Sequence, residues 1–375
     1  MSVQYHFTVV GAGIAGLATA ALLAKNGSRV TLLEKRDALP VEGAGIQLTP
    51  NAVHVLKLLG IDEGVEAQAF HPKHLRVKDG VTGRKIVDMP FSDMETRFTA
   101  PYLVLHRETL ISKLYEQASS AGVEVTFDKP FEMQNDVFDG DGLIGADGVW
   151  SSVRQKVFGA KAEPTGRTAY RSVLPTGSFR DEMSISLSPS RHFVKYQVNK
   201  TGHTNLVALV KEPFLGTEKG WSEPVETKTV LNHFKNWNSE VRHDIASGSW
   251  VRWPLFTVKP GGQWTKNNIA LVGDAAHAMV PFLAQGGGAA LEDAATLVHM
   301  VTKHENVPTA FSAYQAARKP RVTKIWQEAR TNGERYHWPA PLAQARNIGL
   351  KVMGGERLLQ RYSWIYEWRP PQFPT

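Results

Sequence analysis

The chain contains no cysteine among its 375 residues. That absence excludes disulfides, thiol nucleophiles and thiolate metal sites. Long apolar runs are also missing: no stretch of 18 apolar residues occurs, so we predict no membrane-spanning helix. The first six residues lack a basic segment ahead of an apolar one, which predicts no signal peptide and makes a cytoplasmic location the default expectation. The histidines are scattered without ligand spacing, so no metal site is expected.

An excess of positive charge is confined to one part of the chain. The net charge is +7, and the segment Arg318–Arg369 alone carries 11 Lys and Arg against 4 Asp and Glu. Tryptophan and leucine recur among these charges at helical spacing, which favours the solvated face of packed helices. We therefore predict that the protein binds no nucleic acid and has no stable membrane association. We expect it to be a monomer or a homodimer. A basic surface that attracts an anionic substrate or NAD(P)H is the alternative.

A glycine-rich turn follows the first apolar run. Residues Gly11–Gly16 read Gly-Ala-Gly-Ile-Ala-Gly and come directly after Phe7–Val10. Gly11 permits a sharp turn from strand to helix, Gly13 lets a pyrophosphate approach the backbone, and Gly16 lets the helix pack close to the strand. The helix that follows would direct free amides and a positive dipole end at the phosphates. A glycine-rich turn without a ligand is the alternative for this motif alone.

An acid at the end of the second predicted strand narrows the choice of dinucleotide. The apolar segment Arg29–Leu33 leads directly to Glu34. A carboxylate at this place accepts both hydroxyls of an adenosine ribose and repels a ribose phosphate. The sequence therefore favours FAD or NAD over NADP at this site.

Two further motifs lie far along the chain. Leu143–Gly148 reads Leu-Ile-Gly-Ala-Asp-Gly and is followed by Ser151 and Arg154. Ile269–His277 reads Ile-Ala-Leu-Val-Gly-Asp-Ala-Ala-His. Together with Gly11–Gly16, and in this order, the motifs predict one FAD site built from distant parts of the chain.

The order of segments predicts an α/β protein with an inserted sheet. Four alternating segments lie in the middle of the chain, at Tyr170–Leu174, Met183–Leu187, His192–Val198 and Asn205–Val210. Helices are predicted after the last strand, at Gly287–Val301, Ala310–Arg330 and Leu342–Leu359. We predict a Rossmann-like FAD-binding domain with C-terminal helices from residues 1–75, 101–165 and 258–375. An antiparallel β-sheet substrate domain is predicted from residues 76–100 and 166–257.

Taken together, these motifs resemble those of the class A FAD-dependent aromatic hydroxylases, flavoprotein monooxygenases typified by 4-hydroxybenzoate hydroxylase. The chain is most similar to the branch of salicylate hydroxylase and 6-hydroxynicotinate 3-monooxygenase. That similarity rests on Gly43–Ile46 with Pro50-Asn51, on His106–Leu110, and on Ala284–Gly288 with Leu291–Ala294. The resemblance covers nearly the whole chain and implies a 4-hydroxybenzoate hydroxylase-like fold.

The resemblance also implies roles for residues at matching positions. Glu34 would bind the adenosine ribose, Arg107 would contact FAD, and Asp274 would hold the flavin ribityl chain. Asp147 matches a motif tied to both FAD and NAD(P)H, and Gly286–Gly288 match a helix N-terminus under the flavin ring. The candidate cofactor-binding residues are Gly11, Gly13, Ala15, Gly16, Glu34, Lys35, Gly45, Gln47, Arg107, Phe131, Asp147, Asp274, Gly286, Gly287 and Gly288.

The chemistry implied by the resemblance is oxygen insertion. Members of this family reduce non-covalent FAD with NADH or NADPH, add O₂ to give a flavin hydroperoxide, and transfer an oxygen atom to an electron-rich ring. The resemblance implies a monooxygenase acting on a small hydroxylated aromatic or N-heteroaromatic compound. Ionising a phenol with a pKa near 10 costs about 4 kcal/mol at pH 7, so a base or a hydrogen-bond relay is expected.

His192, Tyr196 and Pro281 are the candidate catalytic residues. His192 and Tyr196 are four apart on one predicted strand, so both point to one face. The same pattern recurs in the 6-hydroxynicotinate branch, where both residues face substrate. A histidine satisfied within the sheet is the alternative for His192. Pro281 is expected near the flavin edge, where it would shape the oxygen pocket.

Two positions depart from the 6-hydroxynicotinate branch. Gln47 and Phe282 stand where those enzymes have histidine. Both changes would make the pocket less cationic, which argues against a nicotinate-like acid as the substrate. The shortened segment Phe131–Asp141 also suggests that a β-hairpin common in the family is trimmed.

Two other functions compete with the hydroxylase hypothesis. A quinone-ring hydroxylase could use the basic C-terminal segment as a lipid contact. The sequence contains no apolar amphipathic helix with a lysine-rich flank to support it. A non-catalytic flavin-binding protein is the second alternative, and intact motifs on both sides of the flavin argue against it. Substrate identity and the choice between NADH and NADPH stay open.

Overall fold

The computed structural model describes residues 5–39, 45–133, 138–175, 181–214 and 223–373. Gly43 and Ala44 of the second glycine-rich stretch, and residues 134–137 of the shortened segment, lie outside the described residues. The strands are β1 (His6–Val10), β2 (Arg29–Leu33), β3 (Gly45–Leu48), β4 (His74–Asp79), β5 (Lys85–Pro90), β6 (Leu103–His106), β7 (Glu124–Thr126), β8 (Gly142–Gly145), β9 (Glu163–Leu174), β10 (Glu182–Ser188), β11 (Arg191–Gln197), β12 (Thr204–Lys211), β13 (Glu223–Val225), β14 (Trp250–Thr257), β15 (Thr265–Lys266) and β16 (Ile269–Leu271).

Helices connect these strands and form most of the C-terminal part. They are α1 (Ile14–Lys25), α2 (Pro50–Leu59), α3 (Asp62–Glu66), α4 (Met94–Phe98), α5 (Arg107–Ser120), α6 (Ser152–Phe158), α7 (Thr227–His233), α8 (Ser239–Ala246), α9 (Asp274–His277), α10 (Gly286–Lys303), α11 (Val307–Tyr336), α12 (Leu342–Arg361) and α13 (Ser363–Tyr366). None of the helices in the described part of the chain is both long enough and apolar enough to cross a bilayer.

A six-stranded sheet carries the glycine-rich turn. Its order is β15-β16-β8-β1-β2-β7, and all neighbours are parallel except the edge pair of β15 and β16. Phe7 and Val9 of β1 are fully buried, as expected of a strand covered on both faces. The predicted Rossmann-like arrangement is therefore present, with α1 packed behind the first turn.

An eight-stranded sheet supplies the second layer. Its order is β13-β14-β9-β12-β11-β10-β4-β5. The four predicted middle segments are its strands β9 to β12, and their neighbours run antiparallel. One pair departs from the predicted antiparallel pattern, because β10 and β4 are parallel. A small two-stranded sheet of β3 and β6 lies apart from both.

The predicted domain borders fall close to the edges of the eight-stranded sheet. Strand β4 begins at His74 and β9 at Glu163, a few residues before the predicted borders after residues 75 and 165. The pairing of β4 with β10 joins the two predicted pieces of the substrate domain. The division into two domains stays a prediction.

The C-terminal helices pack across the end of the eight-stranded sheet. Helix α12 was predicted as one continuous helix, but Gly354 has φ 74° and ψ 164° and interrupts it. The next residue, Gly355, touches the neighbouring strand so closely that a Cβ there would overlap the carbonyl oxygen of Asp88 in β5. The interruption therefore lets the C-terminal segment lie directly on the edge of this sheet.

Candidate active site

A cavity of about 390 Å³ lies between the loops of the six-stranded sheet and one face of the eight-stranded sheet. Two groups of residues line it. One group, the cofactor wall, comes from turns and helix ends and comprises Gly13–Ala15, Gly45–Gln47, Arg107, Asp274, Gly286 and Gly287. The other, the substrate wall, comes from strands and C-terminal helices and includes Arg171, Met183, Ile185, His192, Val194, Tyr196, Val207, Leu209, Tyr336, Tyr362 and Tyr366.

The glycine-rich turn is shaped by close backbone contacts at two of its three glycines. Gly11 has φ 104°, and a Cβ there would lie 2.7 Å from the carbonyl oxygen of Ala146. A Cβ at Gly16 would overlap the carbonyl oxygen of Gly11. A Cβ at Gly13, in contrast, would meet no protein atom within 4 Å. Gly13 therefore faces open space at the start of α1, where a phosphate can approach the backbone.

Glu34 braces the same turn from the end of β2. It is 3% exposed, and its Oε2 accepts a hydrogen bond from the backbone N–H of Ala12 at 2.7 Å. Its Oε1 accepts the backbone N–H of Arg36 at 3.0 Å. Each carboxylate oxygen keeps a lone pair that a ribose hydroxyl can use. Lys35 beside it is exposed.

Arg107 and Asp274 face each other across the cavity lining. Arg107 starts α5, and its buried Nε has no hydrogen-bond partner among the described residues. Burial lowers the pKa of Arg107, and the nearby charge of Asp274 raises it in part. Asp274 starts α9 and is exposed in the cavity lining. A cation and an anion with free bonding capacity thus lie on the cofactor wall.

Asp147 lies just behind the cofactor wall. Its Oδ2 accepts the backbone N–H of Ser152 at 2.6 Å and that of Val153 at 3.2 Å, which caps α6. Its Oδ1 is buried without a partner in the described part of the chain. Phe131 packs against the core of the six-stranded sheet and does not line the cavity.

The buried side-chain amides of Asn51 and Gln285 fix the start of α10. Asn51 donates from Nδ2 to Oε1 of Gln285 at 3.0 Å and to Oε1 of Glu292 at 2.6 Å. A Cβ at Gly287 would lie 2.9 Å from Cδ1 of Ile46, whereas a Cβ at Gly286 would meet nothing within 4 Å. The first amides of α10 are therefore held next to β3 and open to the cavity.

Behind this helix end lies a buried group of charges that the sequence analysis assigned no role. Arg318 donates from Nε to Asp293 at 2.7 Å and from an Nη to Glu292 at 2.6 Å. Asp293 also accepts the backbone N–H of Gly273 at 2.9 Å and contacts Nε2 of His277 at 2.5 Å. Burial alone would raise the pKa of Asp293, but His277 and Arg318 lower it to about 2. Asp293 thus holds both residues that flank the loop of Asp274.

Tyr196 connects the substrate wall to β3. Its hydroxyl donates to the carbonyl oxygen of Gly45 at 2.9 Å. A Cβ at Gly45 would lie 2.6 Å from Cε2 of Tyr196, so only glycine fits this contact. Burial raises the pKa of Tyr196 to about 12, and the phenol therefore stays protonated near neutral pH. Gln47, two residues along β3, accepts a hydrogen bond from Tyr102 at 2.6 Å.

His192 lies on the same strand and the same face as Tyr196. It is 2% exposed, and its Nδ1 lies 2.8 Å from Nε2 of His337 at the end of α11. Its ring also packs edge-on against Phe282, with the centroids 5.2 Å apart. Burial and the neighbouring His337 hold the pKa of His192 well below its ordinary value. Pro281 lines the cavity next to Phe282.

Several residues of the substrate wall carry no motif and were not predicted. Arg171 of β9 lines the cavity, stacks on Trp253 at 5.2 Å, and pairs with no carboxylate in the described residues. Burial lowers its pKa. Tyr336, Tyr362 and Tyr366 reach the cavity from the C-terminal helices. Their arrival depends on tertiary packing, so no local pattern could have identified them.

Arg171 also changes the expectation drawn from Gln47 and Phe282. Both of these residues line the cavity, as neutral side chains. Arg171 supplies a cation to the cavity lining from another strand. That a nicotinate-like acid is disfavoured as the substrate stays a prediction.

The residues of the cofactor wall fit FAD. A Cβ added at Gly13, Gly148 or Gly286 would meet no protein atom within 4 Å. These glycines therefore leave the space that a cofactor needs to approach the backbone. Arg107 Nε and Asp147 Oδ1 are buried polar atoms whose partners are missing among the described residues. A polar ligand would supply the partners that these two buried atoms lack.

Comparisons with known proteins agree with this geometry. A family model described as FAD binding domain matches residues 4–329. The chain is 33% identical over 383 residues to 3-hydroxybenzoate 6-hydroxylase 1 of Aquipseudomonas alcaligenes, covering 96% of each chain. It is 32% identical over 351 residues to 6-hydroxynicotinate 3-monooxygenase of Bordetella bronchiseptica, covering 87% of this chain and 91% of that protein. Among solved structures, a salicylate hydroxylase substrate complex superposes with a TM-score of 0.82 at 23% identity, covering 99% of both chains.

Proposed function

The chain belongs to the FAD-binding-domain family of flavoprotein monooxygenases, and on that premise we propose that it hydroxylates a small hydroxylated aromatic or N-heteroaromatic compound with NAD(P)H and O₂. One observation carries the proposal. A single cavity is lined on one side by Gly13, Arg107 and Asp274 and on the other by His192 and Tyr196. Cofactor and ring substrate can therefore meet in one cavity.

The cofactor wall would hold FAD through backbone and charge. When bound, FAD would supply the redox chemistry, namely hydride acceptance from the nicotinamide and activation of O₂. The amides at the start of α1 would bind the pyrophosphate, and Arg107 would offer donors in a fixed fork. Asp274 would bind the ribityl hydroxyls, and the first amides of α10 favour negative charge on the flavin ring.

The substrate wall would hold the ring and exclude water. Met183, Ile185 and Leu209 give it an apolar surface, and a closed apolar site protects a reactive oxygen species from water. Tyr196 donates its proton to Gly45 and has a side-chain hydrogen bond with Gln47, so one lone pair of its hydroxyl oxygen is left to accept a hydrogen bond from a substrate hydroxyl. Ionising a phenol costs roughly 4 kcal/mol at pH 7, and a hydrogen bond donated to the phenolate, or the nearby cation Arg171, would offset part of that cost.

Arg171 supports a substrate with an anionic group. It is a cation in the cavity lining without a carboxylate partner among the described residues. A guanidinium binds a carboxylate through two parallel hydrogen bonds. Two relatives are named for hydroxylated aromatic acids, 3-hydroxybenzoate and 6-hydroxynicotinate. We therefore include hydroxylated aromatic acids among the proposed substrates.

Turnover with a small panel of compounds tests the function. Purified protein should retain non-covalent FAD, and NADH or NADPH oxidation should accelerate with one of 3-hydroxybenzoate, 6-hydroxynicotinate or salicylate. The hydroxylated product is quantified by chromatography against hydrogen peroxide. FAD-loaded protein that oxidises NAD(P)H but hydroxylates none of a broad phenol panel would contradict the proposal.

Asp274→Ala tests the cofactor assignment separately. Loss of the carboxylate should weaken FAD binding by about tenfold or more, seen as lower FAD occupancy after dialysis, since a hydrogen bond to a charged group contributes about 1.5–3 kcal/mol. Asp139→Ala is the control, because that side chain is 93% exposed. Equal retention of flavin by both variants would remove Asp274 from the cofactor site.

A further inference from the structure

His192 and His337 form an isolated buried pair at the base of the cavity. Nδ1 of His192 lies 2.8 Å from Nε2 of His337, and the two side chains belong to residues that are 2% and 7% exposed. The contact joins β11 of the sheet to the C-terminal end of α11. His192 lines the cavity and His337 does not. Only Nε2 of His192 is therefore left for a ligand.

The charged groups that act on this pair are all cations. The pKa of His337 is lowered to about 3 by burial and by four cations: Arg167 of β9, Lys211 of β12, Arg346 of α12 and Arg191 of β11. No carboxylate acts on either ring within the described residues. Tyr336 of α11 packs edge-on against His192, with its phenol protonated since burial raises its pKa. Both imidazoles are therefore neutral near pH 7, and they share one N–H across the contact.

The two possible positions of that proton differ in whether Nδ1 of His337, on the far side of its ring, carries a hydrogen. Its Nδ1 is buried and has no hydrogen-bond partner in the described part of the chain. If His192 donated from Nδ1, then His337 would carry its own proton on Nδ1, as an unpaired buried N–H among cations. If His337 donates from Nε2, its Nδ1 is a bare lone pair, which surrounding cations stabilise. Unpaired buried N–H groups are the rarer defect in proteins, so the second arrangement is favoured.

We infer that His337 donates its Nε2–H to Nδ1 of His192 and thereby fixes the remaining proton of His192 on Nε2, the nitrogen available to the cavity. His337 is then a positioning residue, and His192 is a hydrogen-bond donor to a substrate oxygen. This inference rests on the proposed function for its substrate. A donor at this place selects a phenolate, a ring carbonyl or another acceptor, and stabilises the ionised form of a substrate hydroxyl. His192 would not be the base that removes the proton.

The protonation of both rings can be measured directly. Enzyme labelled with ¹⁵N-histidine, with FAD bound, is studied at pH 7 by two-bond ¹H–¹⁵N spectroscopy, which separates the two neutral tautomers and the imidazolium. Signals are assigned with His192→Gln and His337→Gln. Both histidines should carry their proton on Nε2. A proton on Nδ1 of His192, or an imidazolium at either position, would overturn the inference whatever the turnover of the enzyme.

A pair of variants tests what the donor does during turnover. His337→Gln keeps an N–H that can reach Nδ1 of His192, whereas His337→Leu removes it. With 3-hydroxybenzoate or another hydroxylated substrate, His337→Leu should release about tenfold more hydrogen peroxide per product, the effect of one lost hydrogen bond of roughly 1.4 kcal/mol. His337→Gln should stay near the wild-type ratio, with an unshifted pH profile for hydroxylation. Equal ratios and pH profiles in both variants would overturn the positioning role.

The two experiments separate this inference from the proposed function. Absence of hydroxylation with every compound would contradict the function, while the tautomer assignment would still stand. Hydroxylation with the opposite tautomer at His192 would leave the function intact and remove the donor.

Discussion

The cofactor wall and the substrate wall of the cavity differ in the atoms that they present. The cofactor wall offers backbone amides at Gly13 and Gly286 and a few charges held at helix starts. The substrate wall offers isolated side chains, among them Arg171, His192 and Tyr366, from three separate parts of the chain. Backbone cradles need glycine at fixed spacing, so they leave a motif, whereas converging side chains leave none. The difference separates what is common to a cofactor from what is particular to a substrate.

The support behind the cofactor wall should give the largest effect when it is broken. Asp293→Ala leaves Arg318, His277 and the Gly273 amide without their buried partner. Breaking a buried charge pair costs about 3–5 kcal/mol, so urea unfolding should show a loss of that size, together with lower FAD retention. Glu163→Ala is the control, since its pair with Lys259 is exposed and contributes less than about 1 kcal/mol. Similar losses in both variants would mean that the buried network does not stabilise the fold.

A substitution in the glycine-rich turn tests the cofactor wall more specifically, because it separates an effect on folding from an effect on cofactor binding. Gly13→Ala adds a methyl group that meets no protein atom within 4 Å. The apoprotein should therefore keep its melting temperature, while FAD binding weakens about 10- to 100-fold because the pyrophosphate loses charge-assisted hydrogen bonds. Fluorescence titration measures the affinity.

Two other glycines serve as references for that experiment. Gly261→Ala also adds its methyl to open space, outside the cavity, and should change neither quantity. Gly16→Ala should lower both, because its Cβ overlaps the carbonyl oxygen of Gly11. A Gly13→Ala protein that binds FAD normally would show that the cofactor does not approach this turn.

His337, which lies behind the substrate wall in contact with His192, should affect the pH dependence of stability. The pKa of His337 is lowered to about 3, from an ordinary value near 6.5 in the unfolded chain. Below pH 6.5 His337 is therefore protonated in the unfolded state while it stays neutral in the folded state. The free energy of unfolding should fall as the pH drops from about 6.5 toward 3, by up to about 1.4 kcal/mol per pH unit for this group.

Replacing His337 tests whether this imidazole causes the fall of the unfolding free energy with decreasing pH. His337→Gln should show a shallower fall of the unfolding free energy between pH 6.5 and 5.5 than the wild type, measured by urea titration. Between pH 7.5 and 8.5 the two proteins should have equal slopes, because His337 is neutral in both the folded and the unfolded state. Equal slopes in the acidic range would show that His337 is accessible to protons in the fold.

The same distinction explains how much of the molecule could be predicted. The parallel sheet, the strands around His192 and Tyr196, and the long C-terminal helices follow from short-range periodicity, and their predicted places agree with the structure. The contact of His337 with His192 spans 145 residues. No pattern within a segment encodes such a contact, since it depends on how α11 lies against β11. The cation of Arg171 was missed for the same reason.

The supporting network shows an intermediate case. Glu292 and Asp293 belong to a segment that pointed to the family, but their role could not be assigned from the sequence alone. Acids in a helix usually face solvent, and here partners from distant segments, Arg318 and Arg321 of α11 and Asn51 of α2, make their burial favourable. Chemistry that depends on a distant partner is visible only once the partner is located.

The order of strands in the six-stranded sheet has a consequence for the synthesis of the chain. Strand β1 lies between β2 and β8, and β16 completes the parallel part only at Ile269–Leu271. At about 5–20 residues per second, a ribosome takes roughly 15 to 50 s to proceed from β1 to β16. Strand β1 lacks its neighbour β8 for about half of that interval, and β8 lacks its neighbour β16 until the end of it. Nascent protein should therefore depend on chaperones until more than two thirds of the chain has emerged.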